Sequence, residues 1–262
     1  MHKGNLDQFG LHASGYGMVE PSDEDYWQRC QRKYTFQPIY RTSGQLIAIE
    51  LLTAVFSPAA PQTMLSPEKY FASIEVEKRL QIIIEQLELL AQWHERFSRD
   101  ELVASVNIDG ITLVALQESL RAKNLIATMP WLRFELVENQ KGAPPDTLIM
   151  LPEAENLWLD DFGCGIANFS SLIVARYDCI KVARELFILL LQSDEGKRLF
   201  PLLISLIRRF CNNVIIEGVE TREEWEIVKK TKASAAQGYY FARPQSFDKL
   251  ADLPARFEIL PG

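Results

Sequence analysis

Histidine is scarce in this 262-residue chain: there are three, His2, His12 and His94, and none stands beside a cluster of acids. Chemistry that runs on imidazole has little to work with, which turns attention to carboxylates and lysine. Cysteine is sparse too. Cys30, Cys164, Cys179 and Cys211 show no paired C-x-x-C spacing, which favours reduced thiols over a zinc site or a disulfide framework. No apolar run is long enough to span a bilayer, and the polar stretch Met1–Pro21 lacks the basic-then-apolar order of a signal peptide; the expected location is the cytoplasm, with no membrane partner. Basic residues are also in deficit, 28 Lys and Arg against 35 Asp and Glu, for a net charge of −7. No large basic face can exist, so a nucleic acid polymer is not an expected partner, and an anionic substrate would have to be bound through metals or local cations. What is present is an ordinary globular composition, 47% hydrophobic and 24% charged, sufficient for a large core.

Residues 1 to 24, rich in Gly, Ser and acids without periodicity, read as a flexible lead-in, and residues 25 to 262 as a single domain. Tyr34–Tyr40 and Gln45–Leu52 read as strands joined by only Arg41-Thr42-Ser43-Gly44. That is too short for a parallel crossover, so the pair should be an antiparallel hairpin. Glu50 falls in a mostly apolar run, where a carboxylate needs a partner. Ser66-Pro67-Glu68 reads as a helix start, and apolar positions from there to about Phe97 suit helices packed on a sheet, with Glu75–Arg79 as a solvated face or a short break.

From Leu102 onward, strands alternate with helices. Leu102–Asn107, Leu132–Val137, Trp158–Asp161, Cys179–Val182, Val214–Glu217 and Ala236–Tyr240 read as strands, with helical stretches from Thr112, over Asn168–Val174, Glu185–Leu191, Leu199–Phe210 and Glu223–Lys230. Each strand carries a polar group at or near its end: Asn107, Glu135, Asp160 with Asp161, Lys181, Glu217 and Gln237. Successive groups stand 20 to 36 residues apart, the length of single βα units. The expected fold is α/β: a TIM-like (β/α)8 barrel whose first strand runs against the others, with its site at the carboxyl ends of the strands.

The centre of the pattern is Leu159-Asp160-Asp161-Phe162-Gly163-Cys164-Gly165, an apolar strand running into two adjacent acids and a glycine turn. Read alone, it is either a solvated turn with one Asp capping the next helix or half of a metal site. In the barrel, Glu50, Asn107, Glu135, Asp160, Asp161 and Glu217 converge on one mouth. All are oxygen donors, which favours Mg2+ or Mn2+ over zinc. Five carboxylates balance against two divalent cations plus Lys181, although Glu138 and Glu220 nearby add negative charge. Two such ions suit in-line displacement at phosphorus, hence a phosphodiester substrate, with Asp160 best placed to bridge them. Gly163-Cys164-Gly165 is only a fragment of a dinucleotide-binding motif, and a glycosidase would need two carboxyl groups rather than this larger set.

The ordered segments QPIY, IELLT, SVNID, FELVE, LDDFGCG, IKVARELF, IIEGVET and AQGYYFARP, from about Tyr26 to about Leu253, resemble the signature of the EAL domain, the bacterial phosphodiesterase family that opens cyclic di-GMP to linear pGpG. The resemblance implies that Glu50, Asn107, Glu135 and Asp160 hold one metal and Asp160, Asp161 and Glu217 the other. It implies that Lys181 positions or activates the attacking water, and leaves Glu217 open as general base or ligand alone. By the same likeness Glu138 anchors the loop after its strand, Glu220 supports the Lys181 region, and Gln37 and Gln237 touch substrate or order the mouth. A homodimer beside the loop after Glu138 also fits the family. Its usual context is lowering cyclic di-GMP in favour of motility over biofilm. Ala54 and Ala183 stand where the family usually has Arg and Asp, Leu51 where it has Ala, and Cys164 where it has Thr. The missing Arg predicts weaker phosphate binding. The alternative is a non-catalytic member that binds cyclic di-GMP or a protein partner.

Overall fold

The computed structural model describes residues 24–137, 156–164, 172 and 177–257. The lead-in expected before Glu24, the helix expected over Asn168–Val174 apart from Leu172, and Glu138 lie outside them. After a short helix α1 (Glu24–Gln28), strands β1 (Gln31–Arg41) and β2 (Leu46–Phe56) form the antiparallel hairpin, with Gln37 opposite Glu50. Then come β3 (Met64–Leu65), α2 (Pro67–Ser73), α3 (Val76–Ala91), α4 (His94–Arg99), β4 (Val103–Asp109), α5 (Gly110–Leu116), α6 (Leu120–Ala127), β5 (Leu132–Val137), β6 (Leu157–Phe162) and β7 (Tyr177–Val182). The chain continues through α7 (Arg184–Leu191), α8 (Asp194–Ile207), β8 (Cys211–Ile216), α9 (Arg222–Lys229), β9 (Ala235–Ala236) and β10 (Gln245–Ser246).

Strands β2, β4, β5, β6, β7, β8 and β9 pair in parallel in that order. β1 closes the ring by pairing antiparallel with both β2 and β9. The result is the eight-stranded barrel with a reversed first strand. β3 and β10 extend it outside the ring. Local chemistry explains the outer elements: Ser66 caps α2 by accepting from the Lys69 amide ahead of Pro67, and α9 opens with a capping box between Thr221 and Glu224. The charge run at Glu75–Arg79 is a break followed by a helix, α3 beginning at Val76.

Strand periodicity explains what lies inside the barrel. Ile39, Ala48, Trp158, Cys179, Ile215 and Ala235 pack into one buried apolar cluster. Two residues along each of the same segments come Gln37, Glu50, Asp160, Lys181, Glu217 and Gln237. Because side chains repeat every second residue along a strand, the polar ring sits directly on an apolar floor. The helices bury their apolar stripes against the outer face in a separate, larger cluster that includes Leu87, Leu113, Phe187, Ile204 and Val228.

The last strand is shorter than expected. β9 ends at Ala236, and Gly238 begins a turn in which its carbonyl accepts from the Phe241 and Ala242 amides. Here the backbone of Val219 takes over the pairing, its amide donating to the Gln237 carbonyl and its carbonyl accepting from Tyr240. A Cβ on Gly238 would fall inside the contact distance of the Val219 backbone. Gly238→Ala is therefore expected to lower stability by at least about 2 kcal/mol, read as a shift of the urea midpoint at unchanged m-value; an unchanged midpoint would mean the two segments are not packed backbone to backbone.

Candidate active site

Each site residue is brought in by the end of a barrel strand. The Lys181 ammonium stands at their centre: its Nζ lies 3.1 Å from Glu50 Oε2, 2.6 Å from Glu135 Oε2, 3.1 Å from Asp160 Oδ1 and 2.9 Å from Glu217 Oε1. The side chain is 1% exposed. A lysine this deep persists as a cation only where anions surround it. Glu50, the acid that needed a partner, has three: it accepts from Lys181, from Asn107 Nδ2 at 2.7 Å and from Gln237 Nε2 at 2.8 Å. Gln237 also donates to Gln37 Oε1 at 3.2 Å, and Gln37 donates to the Ala242 carbonyl at 3.0 Å. The two glutamines thus tie the first strand to the last.

These contacts set the electrostatics. Burial alone would push the Lys181 ammonium toward neutrality, but Asp160, Glu135, Glu217 and Glu50 outweigh it and hold the pKa well above the usual lysine range. Burial likewise works against the Glu50 anion, yet Lys181 and the amides of Asn107 and Gln237 keep it below an ordinary glutamate. The other acids go the opposite way. Burial and the neighbouring Glu50 push Glu135 well up, and burial with Glu50 raises Asp160 despite Lys181. Glu217 is pushed up to about 8 by burial, with Asp160 and Glu50 adding to the effect. Asp161 is raised to about 6 by burial and the charge of Asp160. One ammonium is too little positive charge for the acids gathered here.

The remaining groups shape the opening. A cavity of about 240 Å3 is lined by Gln37, Glu50, Glu217, Gln237, Arg184, Tyr239 and their neighbours. Asp161 takes a left-handed backbone (φ 52°), which Asp tolerates, and its carbonyl accepts from the Cys164 amide. Arg184 lines the same cavity. It donates to the Gly218 carbonyl and to Glu220 Oε2 at 2.9 Å, and stands 3.7 Å from Glu224. Gly218 has φ 64°, and a side chain there would strike Arg184. Arg184 therefore fixes the turn that carries Glu217. Its only sequence signal was a position three residues after Lys181, at the start of a helix. Tyr239, 49% exposed with the Arg243 guanidinium 4.3 Å over its ring, also lines the opening and carries no distinguishing signal in the sequence. Ala54 lies directly across from exposed Lys33 in the hairpin. Ala183 heads α7 without a capping side chain, its amide donating to the Phe162 carbonyl.

The donor set fits a divalent cation. Asp160, Asp161 and Glu217 each bring a carboxylate oxygen within 4.8 Å of the others. Glu135 Oε1 is buried without a hydrogen-bond partner, a costly state for a carboxylate oxygen unless a cation satisfies it. Glu50, Glu135 and Asp160 each reach the Lys181 ammonium, and Asn107 joins them through Glu50. The solvated-turn reading of Asp160 does not hold, because its side chain is only 12% exposed and faces the ammonium.

The chain matches the EAL domain over residues 24–244. PdeH of Escherichia coli (strain K12), a cyclic di-GMP phosphodiesterase, is 49% identical over 225 residues that cover 86% of this chain and 88% of its own. Among solved structures, the EAL-like domain protein YdiV superposes with a TM-score of 0.75 at 18% identity, over 86% of this chain and 97% of that one. BlrP1 of Klebsiella pneumoniae, solved with manganese and cyclic di-GMP, gives a TM-score of 0.59 at 22% identity, over 83% of this chain and 56% of its own. At these identities the two structures speak to the fold.

Removing the central cation should expose the crowding of the acids. In Lys181→Met the carboxylates lose their counter-ion: the pKa values of Glu135, Asp160 and Glu217 in the folded state rise further above those in the unfolded chain, and Glu50, held low by Lys181, rises as well. A raised folded-state pKa gives stability that is present at low pH and lost as pH rises. We expect the variant to be destabilised by roughly 3–5 kcal/mol at pH 8 and by much less at pH 5, measured by urea unfolding in the presence of a chelator. A deficit independent of pH would show that packing, not charge, is what Lys181 contributes.

Proposed function

The chain belongs to the EAL-domain family, and on that premise we propose that it is a metal-dependent phosphodiesterase of the cytoplasm that hydrolyses cyclic di-GMP to linear pGpG. In the family's usual setting this lowers the second messenger and favours motility over biofilm. The observation that carries the reading is the ring of strand-end acids around one buried lysine, open to a cavity and short of positive charge. Among the described residues no helix is long and apolar enough to cross a membrane.

Asp160, Asp161 and Glu217 are proposed to hold one Mg2+ or Mn2+, and Glu50, Asn107, Glu135 and Asp160 a second. Bound there, divalent cations would supply Lewis acidity toward a phosphate oxygen and lower the pKa of a water enough to provide hydroxide as the nucleophile near neutral pH. The protein's own groups prepare that attack. Lys181 keeps four acids together and presents its ammonium beside the reacting phosphate, where it orients the attacking water. Gln237 and Asn107 hold Glu50 ionised and fixed, so its oxygens need no reorganisation. Gln37 and Gln237 order the mouth where the guanylate half enters, and Arg184 with Glu220 holds the Glu217 turn in place. The apolar floor keeps bulk water from entering beneath the acids. Lys33, across from Ala54, is the nearest cross-strand cation for a substrate phosphate in place of the missing arginine. Glu138 is proposed to anchor the loop that follows β5.

Purified protein incubated with cyclic di-GMP and Mn2+ or Mg2+ should yield pGpG by chromatography, and Glu50→Gln should lower kcat/KM by at least about a hundredfold. Binding of cyclic di-GMP with no pGpG formed would instead assign the chain to the non-catalytic members.

Cation binding should also release protons. Glu217, at about 8, is largely protonated at pH 6 and must ionise to act as a ligand; Asp161, at about 6, is half protonated there. Mn2+ affinity is therefore expected to rise at least about tenfold from pH 6 to pH 8. Calorimetry in two buffers of different ionisation enthalpy reads both affinity and proton release, and equal heats in both buffers would remove Glu217 from the ligand set.

A further inference from the structure

The barrel end opposite the acid ring gathers positive charge. Segments 208–213 and 230–234 lead into the amino ends of β8 and β9, residues 41–45 join β1 to β2, and residues 255–257 lie beside that turn. Backbone hydrogen bonds tie the segments together. The Thr42 amide donates to the Ser234 carbonyl, the Ser234 amide to the Val214 carbonyl and the Phe257 amide to the Gly44 carbonyl. They hold Arg41, Arg208, Arg209, Lys230, Lys232 and Arg256 and not one acid. All of these cations but Arg208 are exposed, and Arg41, Arg209, Lys232 and Arg256 form no ion pair among the described residues. Bordering acids are already engaged. Glu226 pairs with Lys229 at 2.6 Å, and Asp178 accepts from Asn212 and Trp158 and pairs with Arg133.

Helix dipoles account for only part of this set. Arg208 and Lys230 end α8 and α9, where a cation complements the carbonyl end of a helix, but Arg41, Lys232 and Arg256 have no helix to stabilise. The net charge of −7 argues against a large basic face, yet it is a sum over the whole chain. At physiological salt a charge is felt over only about 8–10 Å, so a surface approaching this end meets the local excess of cations. Apolar side chains border that excess. Phe210, 38% exposed, follows Arg209, and Leu206, 41% exposed, stands one turn earlier on α8. A polyanion such as a nucleic acid or an acidic tail answers the charges but leaves these two side chains in water. The headgroup boundary of an anionic bilayer answers both.

We propose that this end of the barrel docks on a membrane carrying anionic lipid, its cations meeting lipid phosphates while Phe210 and Leu206 enter the headgroup boundary. Among the described residues no helix can cross a bilayer, so the contact is peripheral and reversible. It also gives the site a direction. Asp160, Lys181 and Glu217 lie toward the carboxyl ends of their strands, so with the amino ends against lipid the mouth opens away from the membrane.

The test is flotation of the full chain with vesicles of phosphatidylcholine, either alone or with one-third phosphatidylglycerol. Wild type should bind the anionic vesicles at low salt, leave them at high salt and ignore the neutral ones. Each cation near the surface contributes about fivefold, so Arg209→Glu/Lys232→Glu should weaken partitioning at least about tenfold. Phe210→Ser should weaken it by about threefold or more. The pair Lys78→Glu/Lys123→Glu makes the same change of net charge on α3 and α6 and should bind like wild type. Circular dichroism and the urea midpoint check that each variant is folded. Wild type that stays unbound, a control pair as weak as the sector pair, or Phe210→Ser at full strength would each overturn the proposal. So would binding to polyglutamate or duplex DNA without binding to vesicles, which assigns these cations to an acidic polymer.

Discussion

The interior of this barrel is built around an ammonium group with more anions than it can neutralise. Lys181 approaches Glu50, Glu135, Asp160 and Glu217 within 3.1 Å, while an ammonium has only three protons to give. Every other feature of the mouth answers to that imbalance. Glu50 stays ionised because Lys181 and the two amides together outweigh its burial, whereas Glu135, Asp160 and Glu217 are pushed toward protonation. Such a site is poorly satisfied by protein groups alone and well matched to added positive charge. It is the added positive charge, and not the acids, that would receive an anion in a chain of net charge −7.

Much of this arrangement could be read from residue order, for a definite physical reason. The short Arg41–Gly44 connection admits only a hairpin, and alternation along each strand places a polar residue two positions beyond an apolar one. Glu50, Asn107, Glu135, Asp160, Lys181, Glu217 and Gln237 therefore had to share a face once the strands were parallel and adjacent. Other features were set by contacts between segments far apart in sequence. Arg184 gains its importance from the Gly218 carbonyl and Glu220, which one strand's sequence does not reveal. The Ala236–Tyr240 stretch has the composition of a strand, but the Val219 backbone captures its pairing after Ala236. Helix α8 extends further toward its N-terminus than its apolar periodicity suggested, because Ser193 caps it by accepting from the Gly196 amide.

Two of the departures from the family pattern, Ala54 and Ala183, are placed by backbone contacts. Ala54 lies on the hairpin across from Lys33, and Ala183 heads α7 with its backbone bonded to Phe162. The lysine and its four acids keep their contacts with both alanines in place. Loss of a bidentate guanidinium contact weakens ground-state binding more readily than it slows the chemical step.

The seam of the barrel carries a consequence for how the protein comes into being. Gln237, just beyond the last strand, donates to Glu50 on the second and to Gln37 on the first, joining positions almost the whole domain apart. Contacts of such long sequence separation form late, because the intervening chain must be ordered first. During synthesis the acids from Glu50 to Glu217 can be strung along growing strands without the amide that fixes Glu50. The mouth acquires its finished geometry only when β9 and Gln237 emerge and β1 closes upon them, so a chain ending before Gln237 lacks the amide that fixes Glu50.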